Sequence, residues 1–216
     1  MRVCSGLSAF MVIDWVYLCI GLVFGLIPPL RLLNCECKFL PFEEMWNRAV
    51  RPPSDADAPR RRRWWKLPLV WINPFRGFVV GYFLSKAFGA PPEATFLQAQ
   101  LPVLALLGAL LLVLVVQTKG RPFERESLAP NGFMAGLMLA VMPLTISLGA
   151  FVVGVATAMA LQRYSFGYWA ATIMTALIGA AFLRASPKLG VYVLMVSAPA
   201  WMSWLRGTTL VTPVRC

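Results

Sequence analysis

The stretch Leu67–Phe88, LPLVWINPFRGFVVGYFLSKAF, is apolar enough to enter a lipid bilayer, yet it carries Arg76 in its interior. A guanidinium near the bilayer midplane costs roughly 2.5–3.5 kcal/mol on insertion scales. Such a group faces a cavity, a partner or a ligand, unless it lies at the level of the lipid headgroups. The starting point of the helix decides between these two positions.

Two starting points are compatible with the sequence. If the helix begins at Leu67, Arg76 lies about 14 Å along it, near the middle of a bilayer, where it is a functional candidate. Asn73 and Pro74 also resemble an N-cap followed by a first-turn proline, which would start the helix at Asn73. Arg76 would then lie one turn in, at headgroup level.

The overall composition is that of a membrane protein. Hydrophobic residues make up 59% of the 216 residues and charged residues only 13%, whereas a soluble domain carries nearer ~25% charged residues. The net charge of +11 comes mainly from short loops between apolar segments, where Lys and Arg act as orientation signals. We therefore expect no nucleic-acid partner.

Apolar windows of about 20 residues, the length needed to span a bilayer, recur along the chain. They predict an all-α fold, a single-domain polytopic transmembrane helical bundle with about six spanning helices. The predicted spans are residues 7–33, 67–89, 97–117, 132–161, 166–183 and 189–205, and residues 34–66 form a basic cytoplasmic loop.

Lys and Arg are dense in the loops after the first, third and fifth spans and sparse in the other loops and at both ends. The positive-inside rule then puts both termini outside, and a bacterial cytoplasmic membrane is the expected location. Four arginines of the first loop are candidates for contact with anionic lipid headgroups at about 1 kcal/mol each, and a plain orientation signal is the alternative. They are Arg60, Arg61, Arg62 and Arg63.

Three GxxxG pairs predict close helix packing, because glycine lets the backbone of a neighbouring helix approach. They are Gly21 and Gly25, Gly77 and Gly81, and Gly132 and Gly136. Such packing occurs within one chain or between chains, so a homo-oligomer or a hetero-complex with other membrane subunits is a further expectation. The second and third pairs also share a preceding proline and a phenylalanine, which indicates either an internal duplication or chance similarity.

The span predicted over residues 132–161 is longer than one perpendicular crossing requires. Pro143 lies within it and is followed by Thr145 and Ser147. This spacing predicts a kink, with the two hydroxyls serving the carbonyls that the proline frees.

Groups for catalysis and metal binding are scarce. The chain has no histidine, and Cys35-x-Cys37 is only half of a tetrahedral metal site. Asp14 is the one acidic residue predicted inside a span, so the pair of carboxylates that an aspartyl protease needs is missing. We therefore expect no metal, no cofactor and no enzymatic activity.

Two functions follow as hypotheses. The first is a channel or carrier for a small solute, an anion being one option. Its binding or pore residues would be Arg76, Asn73, Thr145, Ser147 and Asp14. The alternative is a non-catalytic structural or accessory subunit of a larger membrane complex, which the GxxxG faces and the missing chemical groups favour.

Overall fold

The computed structural model of the protein describes residues 11–28, 37–44, 47, 68–92, 95–119, 126–184 and 186–215. Helices dominate it, so the all-α class is confirmed. The helices are α1 (Trp15–Leu26), α2 (Pro68–Ala87), α3 (Phe96–Gln117), α4 (Asn131–Val141), α5 (Leu144–Leu161), α6 (Tyr164–Leu183) and α7 (Pro187–Arg206). The strands are β1 (Val12–Ile13), β2 (Cys37–Pro41), β3 (Phe88–Gly89), β4 (Glu126–Leu128) and β5 (Thr209–Arg215).

Length and composition make three of the described helices capable of crossing a membrane. They are Gln98–Gln117 within α3, Leu144–Leu161 and Tyr164–Leu183. The outward faces of these helices expose large apolar side chains, among them Leu104, Val152 and Leu177 at about 60%. Water disfavours such continuous apolar faces, and lipid accepts them.

A three-stranded sheet closes one end of the helix bundle, which we call the sheet end. Its central strand is β5, which pairs antiparallel with β2 and parallel with β4. The N–H of Leu128 in β4 also donates to the carbonyl of Thr118, the residue after α3. Gly207, at a φ of 60°, ends α7 and turns the chain into β5. The ends of α3 and α7 and the start of α4 therefore lie at the sheet end.

The first two helices run in opposite directions. The N–H of Asp14, before α1, donates to the carbonyl of Ala87 at the end of α2, and β1 pairs with β3 at the same place. The start of α1 therefore lies at the end of the bundle opposite the sheet, which we call the far end.

The predicted helix over residues 132–161 is divided in two. Met142 adopts an extended conformation, with φ −106° and ψ 153°, because the ring of Pro143 disfavours the helical conformation for the residue before it. The kink predicted at Pro143 is thus a complete break between α4 and α5.

The chain also reverses direction at this break. α4 runs parallel to α2, since Gly77 lies against Phe133 and Gly81 against Ala140, and it starts at the sheet end. α5 returns there, because Tyr168, one turn into the following helix, donates to Asn131 Oδ1 at 2.9 Å. Residues 131–161 thus enter and leave at the same end, and a single crossing over 132–161 was the wrong prediction.

This reversal removes one crossing from the predicted topology and so moves the tail to the other side. The predicted orientation put the tail on the side opposite to loops 34–66 and 118–130, yet β5 of the tail pairs with β2 and β4, which lie in those two loops. The two ends of the described chain therefore lie at opposite ends of the bundle, and a tail on the side opposite to these two loops is not compatible with this sheet.

Other boundaries differ less. Within the predicted span 7–33 the described helix covers only Trp15–Leu26, and residues 7–10 and 29–33 lie outside the described residues. α2 begins at Pro68, so Asn73 is not its N-cap and Pro74 lies inside the helix. A proline is tolerated at such a position in an apolar bundle because neighbouring helices stabilise the interrupted turn.

Candidate functional site

The C-terminal end of α1 is where two buried polar side chains, those of Arg76 and Gln117, converge. α1 stops at Leu26, and Ile27 is extended because Pro28 follows it. The last four carbonyls of any helix lack intrahelical donors. Gly25 is buried, so water does not fully replace those donors here.

Arg76 of α2 supplies the first set of donors. Its Nη2 donates to the carbonyl of Phe24 at 2.9 Å and to that of Ile27 at 2.7 Å. Its Nη1 donates to Asn73 Oδ1 at 3.4 Å, and its Cζ lies 5.8 Å from the centre of the Phe133 ring. The residue is only 5% exposed, so its guanidinium is enclosed by the surrounding helices.

Gln117, the last residue of α3, supplies the second set. Its Nε2 donates to the carbonyl of Gly25 at 2.6 Å and to that of Ile27 at 2.9 Å. With an exposed fraction of 1%, its amide is held by these two bonds inside the bundle. We call Arg76, Asn73, Gln117 and Phe133 the capping cluster, because together they cover the end of α1.

The electrostatics of the capping cluster are favourable. The C-terminal end of a helix carries about half a negative charge, and a cation placed there is stabilised. The face of the Phe133 ring adds a second weakly negative surface. Among the described residues, the oxygens that Arg76 meets are backbone carbonyls and one amide, and its Nε–H has no acceptor.

The structure brings together only part of the predicted pore. Arg76 and Asn73 are in contact. Thr145, which is exposed, and Ser147, which is buried, lie in the first turn of α5 beyond the break. Asp14 caps the start of α1 at the far end, where its Oδ1 accepts from the N–H groups of Val16 and Tyr17.

The glycine pairs lie at helix contacts within the chain. A Cβ on Gly77 would overlap the carbonyl oxygen of Phe133, and one on Gly136 would overlap that of Pro74. α2 and α4 therefore touch backbone to backbone, which brings Phe133 beneath the guanidinium of Arg76. The other four glycines meet side chains at 2.6 to 3.1 Å from an added Cβ: Gly21 meets Leu84, Gly25 meets Val113, Gly81 meets Ala140 and Gly132 meets Pro74.

The two segments of the candidate duplication are neighbours in the structure. The two similar segments, around Gly77 and Gly132, pack against each other and run parallel. The predicted lipid-contacting residues Arg60, Arg61, Arg62 and Arg63 lie outside the described residues.

Sequence reasoning missed Gln117, Phe133 and the hydrogen bond between Tyr168 and Asn131. A signal existed for Gln117, because it is the polar residue that ends the apolar run 101–116 of α3. Phe133 carried no signal of its own, since one apolar residue among many predicts only burial.

Replacing Gln117 with leucine is expected to lower the free energy of unfolding by about 1–3 kcal/mol, because the carbonyl of Gly25 would remain buried without a donor. Thermal unfolding of the purified protein in detergent measures this change. Gln100, near the start of the same helix, is half-buried, and its replacement by leucine is the control, with a smaller expected effect. Equal melting temperatures for the Gln117 variant and the unaltered protein would contradict the capping role.

No protein family, no curated protein and no solved structure matches this chain.

Proposed function

We propose that this protein is a non-catalytic structural or accessory subunit of a membrane protein assembly. The observation that carries the proposal is the use of Arg76, whose Nη2 hydrogen bonds go to the end of α1. A guanidinium used in this way holds helices together, and it is poorly placed to coordinate a passing solute.

The packing of the core supports the same function. Large apolar side chains with no exposed surface fill the space between α2, α3, α4 and α7, among them Leu84, Leu114, Leu137 and Met195. A core packed to this extent is typical of a rigid module. The polar residues first considered for a pore are also divided between the two ends of the bundle.

The outer face of α2 supports a contact with lipid or with another membrane subunit. Trp71, Phe75, Phe78 and Tyr82 recur every three or four residues and are each at least 45% exposed. They form one stripe on the side of α2 that α1 and α4 leave open. Aromatic stripes of this kind pack against lipid chains or against a second helix.

The orientation is part of the proposal. The basic segments 34–66 and 118–130 join elements of the sheet end, so the positive-inside rule favours a cytoplasmic sheet end, in a bacterial cytoplasmic membrane. An odd number of passes then places the C-terminus in the cytoplasm and the N-terminus outside.

Reporter fusions in a bacterial host test this orientation. A C-terminal green fluorescent protein is expected to fluoresce and a C-terminal alkaline phosphatase to be inactive, because β5 belongs to the cytoplasmic sheet. The same phosphatase fused after Ser186, between α6 and α7, is the matched control and is expected to be active. Active phosphatase at the C-terminus would contradict the odd number of passes.

Purification from the native membrane in a mild detergent, followed by native mass measurement, tests the assembly. We expect a species heavier than one 23.9 kDa chain with its bound lipid, containing either further copies or other subunits. A lone monomer that persists across several mild detergents would overturn the proposal.

A channel or carrier for a small anion is the second candidate, and one observation favours it. The Nε–H of the buried Arg76 has no acceptor among the described residues, which leaves a donor for an anion. Flux of a small anion into liposomes that contain the purified protein decides between the two. Flux that Arg76→Gln abolishes in a folded variant would support the channel, and absence of flux supports the accessory subunit.

A further inference from the structure

An exposed aromatic ladder lies along α6 and α7 near the sheet end. Trp169 meets Trp201 at a centroid distance of 5.3 Å, and Trp201 meets Trp204 at 5.5 Å, both edge to face. Trp201 is 43% exposed and Trp204 70%. The indole rings therefore present a stepped surface on the outside of the bundle, where the polar ring nitrogen and the apolar ring body suit a membrane interface.

Two arginines lie at the same end of the α6–α7 pair as this ladder. α6 and α7 are antiparallel, since Gly179 lies against Leu189 at one end and Trp169 against Trp201 at the other. This register brings Arg163, just before α6, and Arg206, the last residue of α7, to the same end of the pair. Both are exposed, and we call them, with Trp201 and Trp204, the foot patch.

The charged side chains of the two helices that carry the foot patch are all basic. The sequence after Glu126 contains no aspartate or glutamate at all. The elements α4 to α7 and β5 therefore provide no carboxylate. The described acidic residues of the sheet end are Glu43 and Glu44, which follow Phe42 at the ring of Tyr164, and Glu126 of β4. Exposed guanidinium groups bind phosphate through short, charge-assisted hydrogen bonds.

We propose that the foot patch binds the headgroup of an anionic phospholipid. Arg163 and Arg206 would donate to the phosphate, and the rings of Trp201 and Trp204 would pack against the glycerol and the upper acyl chains. A lipid fits better than a free phosphate, because Leu205, next to Arg206 in the chain, is 73% exposed, and an exposed apolar surface favours contact with acyl chains over contact with a soluble ion. This site does not depend on the proposed function, since a channel would carry it equally well.

Native mass spectrometry of the protein, released from vesicles of mixed phosphatidylglycerol and phosphatidylcholine, tests the site. We expect phosphatidylglycerol to be retained in preference to phosphatidylcholine. The double variant Arg163→Gln/Arg206→Gln should lower this preference by roughly five-fold for each arginine removed. Unchanged retention in that variant would overturn the proposal.

The far end of the same two helices provides the matched control. Arg184 and Lys188 are also exposed, and Arg184→Gln/Lys188→Gln removes the same charge from the α6–α7 pair. We expect it to leave the preference for phosphatidylglycerol at the level of the unaltered protein. An equal loss in both double variants would show a general effect of net charge and would also overturn the site.

Two further measurements separate the possible ligands and establish the position. Inorganic phosphate added during release should not displace the lipid, and displacement would identify a free-anion site in place of a lipid site. Brominated phosphatidylglycerol should quench tryptophan fluorescence more than brominated phosphatidylcholine does, and Trp201→Phe/Trp204→Phe should remove most of that difference. A difference that survives this variant would place the lipid elsewhere.

Discussion

Replacing Gly136 with alanine is expected to eliminate most of the folded protein. The added Cβ would overlap the carbonyl oxygen of Pro74 and come within 2.7 Å of the N–H nitrogen of Phe78. Both atoms belong to the backbone of α2 and have no rotamer to change, so the two helices must separate. Overpacking of a core costs about 1–3 kcal/mol when side chains can adjust, and we expect at least the upper end of this range here.

The yield of monodisperse protein in detergent, together with its melting temperature, measures this effect. Gly108 provides the control, because it lies in the middle of α3 with nothing within 4 Å of an added Cβ. Gly108→Ala is expected to be neutral or stabilising by up to about 1 kcal/mol. If Gly136→Ala and Gly108→Ala melt at the same temperature, the backbone contact between α2 and α4 does not hold.

Replacing Arg76 with leucine is expected to be the second large effect. The carbonyls of Phe24 and Ile27 would both lose the donor Nη2, and hydrogen bonds to a charged group contribute about 1.5–3 kcal/mol each. The carbonyl of Phe24 would then lack a side-chain donor, whereas that of Ile27 would keep its hydrogen bond from Gln117 Nε2. We therefore expect the free energy of unfolding to fall by about 2–4 kcal/mol. Thermal unfolding followed by near-ultraviolet circular dichroism reports the loss.

Lys86 is the matched control for Arg76. It lies on the same helix and carries the same charge, but it is exposed. Lys86→Leu should change the free energy of unfolding by no more than about 0.5 kcal/mol. Similar losses in the two variants would mean that the charge of α2, and not the capping of α1, is what stabilises the protein.

Arg76→Lys separates charge from geometry. A lysine ammonium keeps the positive charge at the end of α1 but is a compact donor without the planar fork of a guanidinium. We expect it to reach one of the two carbonyls and to restore only part of the stability lost in Arg76→Leu. Full restoration would show that the charge at the helix end is sufficient.

Much of the helical arrangement followed from hydropathy. The predicted spans 67–89, 97–117, 166–183 and 189–205 each correspond to one observed helix within three residues at either end. The agreement has a simple cause, since a run of apolar residues bounded by charges and prolines has few alternatives to one helix. An interruption at Pro143 was also predicted from the sequence. The angle between α4 and α5 was not, because a proline interrupts a helix without setting the direction of the chain that follows.

The role of Arg76 was not available from the sequence. Its two considered positions depended on the start of α2, and neither identified which group of the protein would pair with the guanidinium. The partner is the end of α1, about 50 residues earlier in the chain. No local pattern contains a contact of that sequence separation.

The sequence by itself determined that this is a chain of apolar helices with basic connections, because burial of apolar side chains and the cost of unpaired backbone groups act locally. Only the tertiary structure decided that α4 and α5 return to the end they started from. It also decided that β5 joins the loops before α2 and α4, and that Arg76 and Gln117 close the end of α1. The physical reason is that a carbonyl accepts a hydrogen bond from any donor within about 3 Å, whatever the separation of the two groups in the sequence.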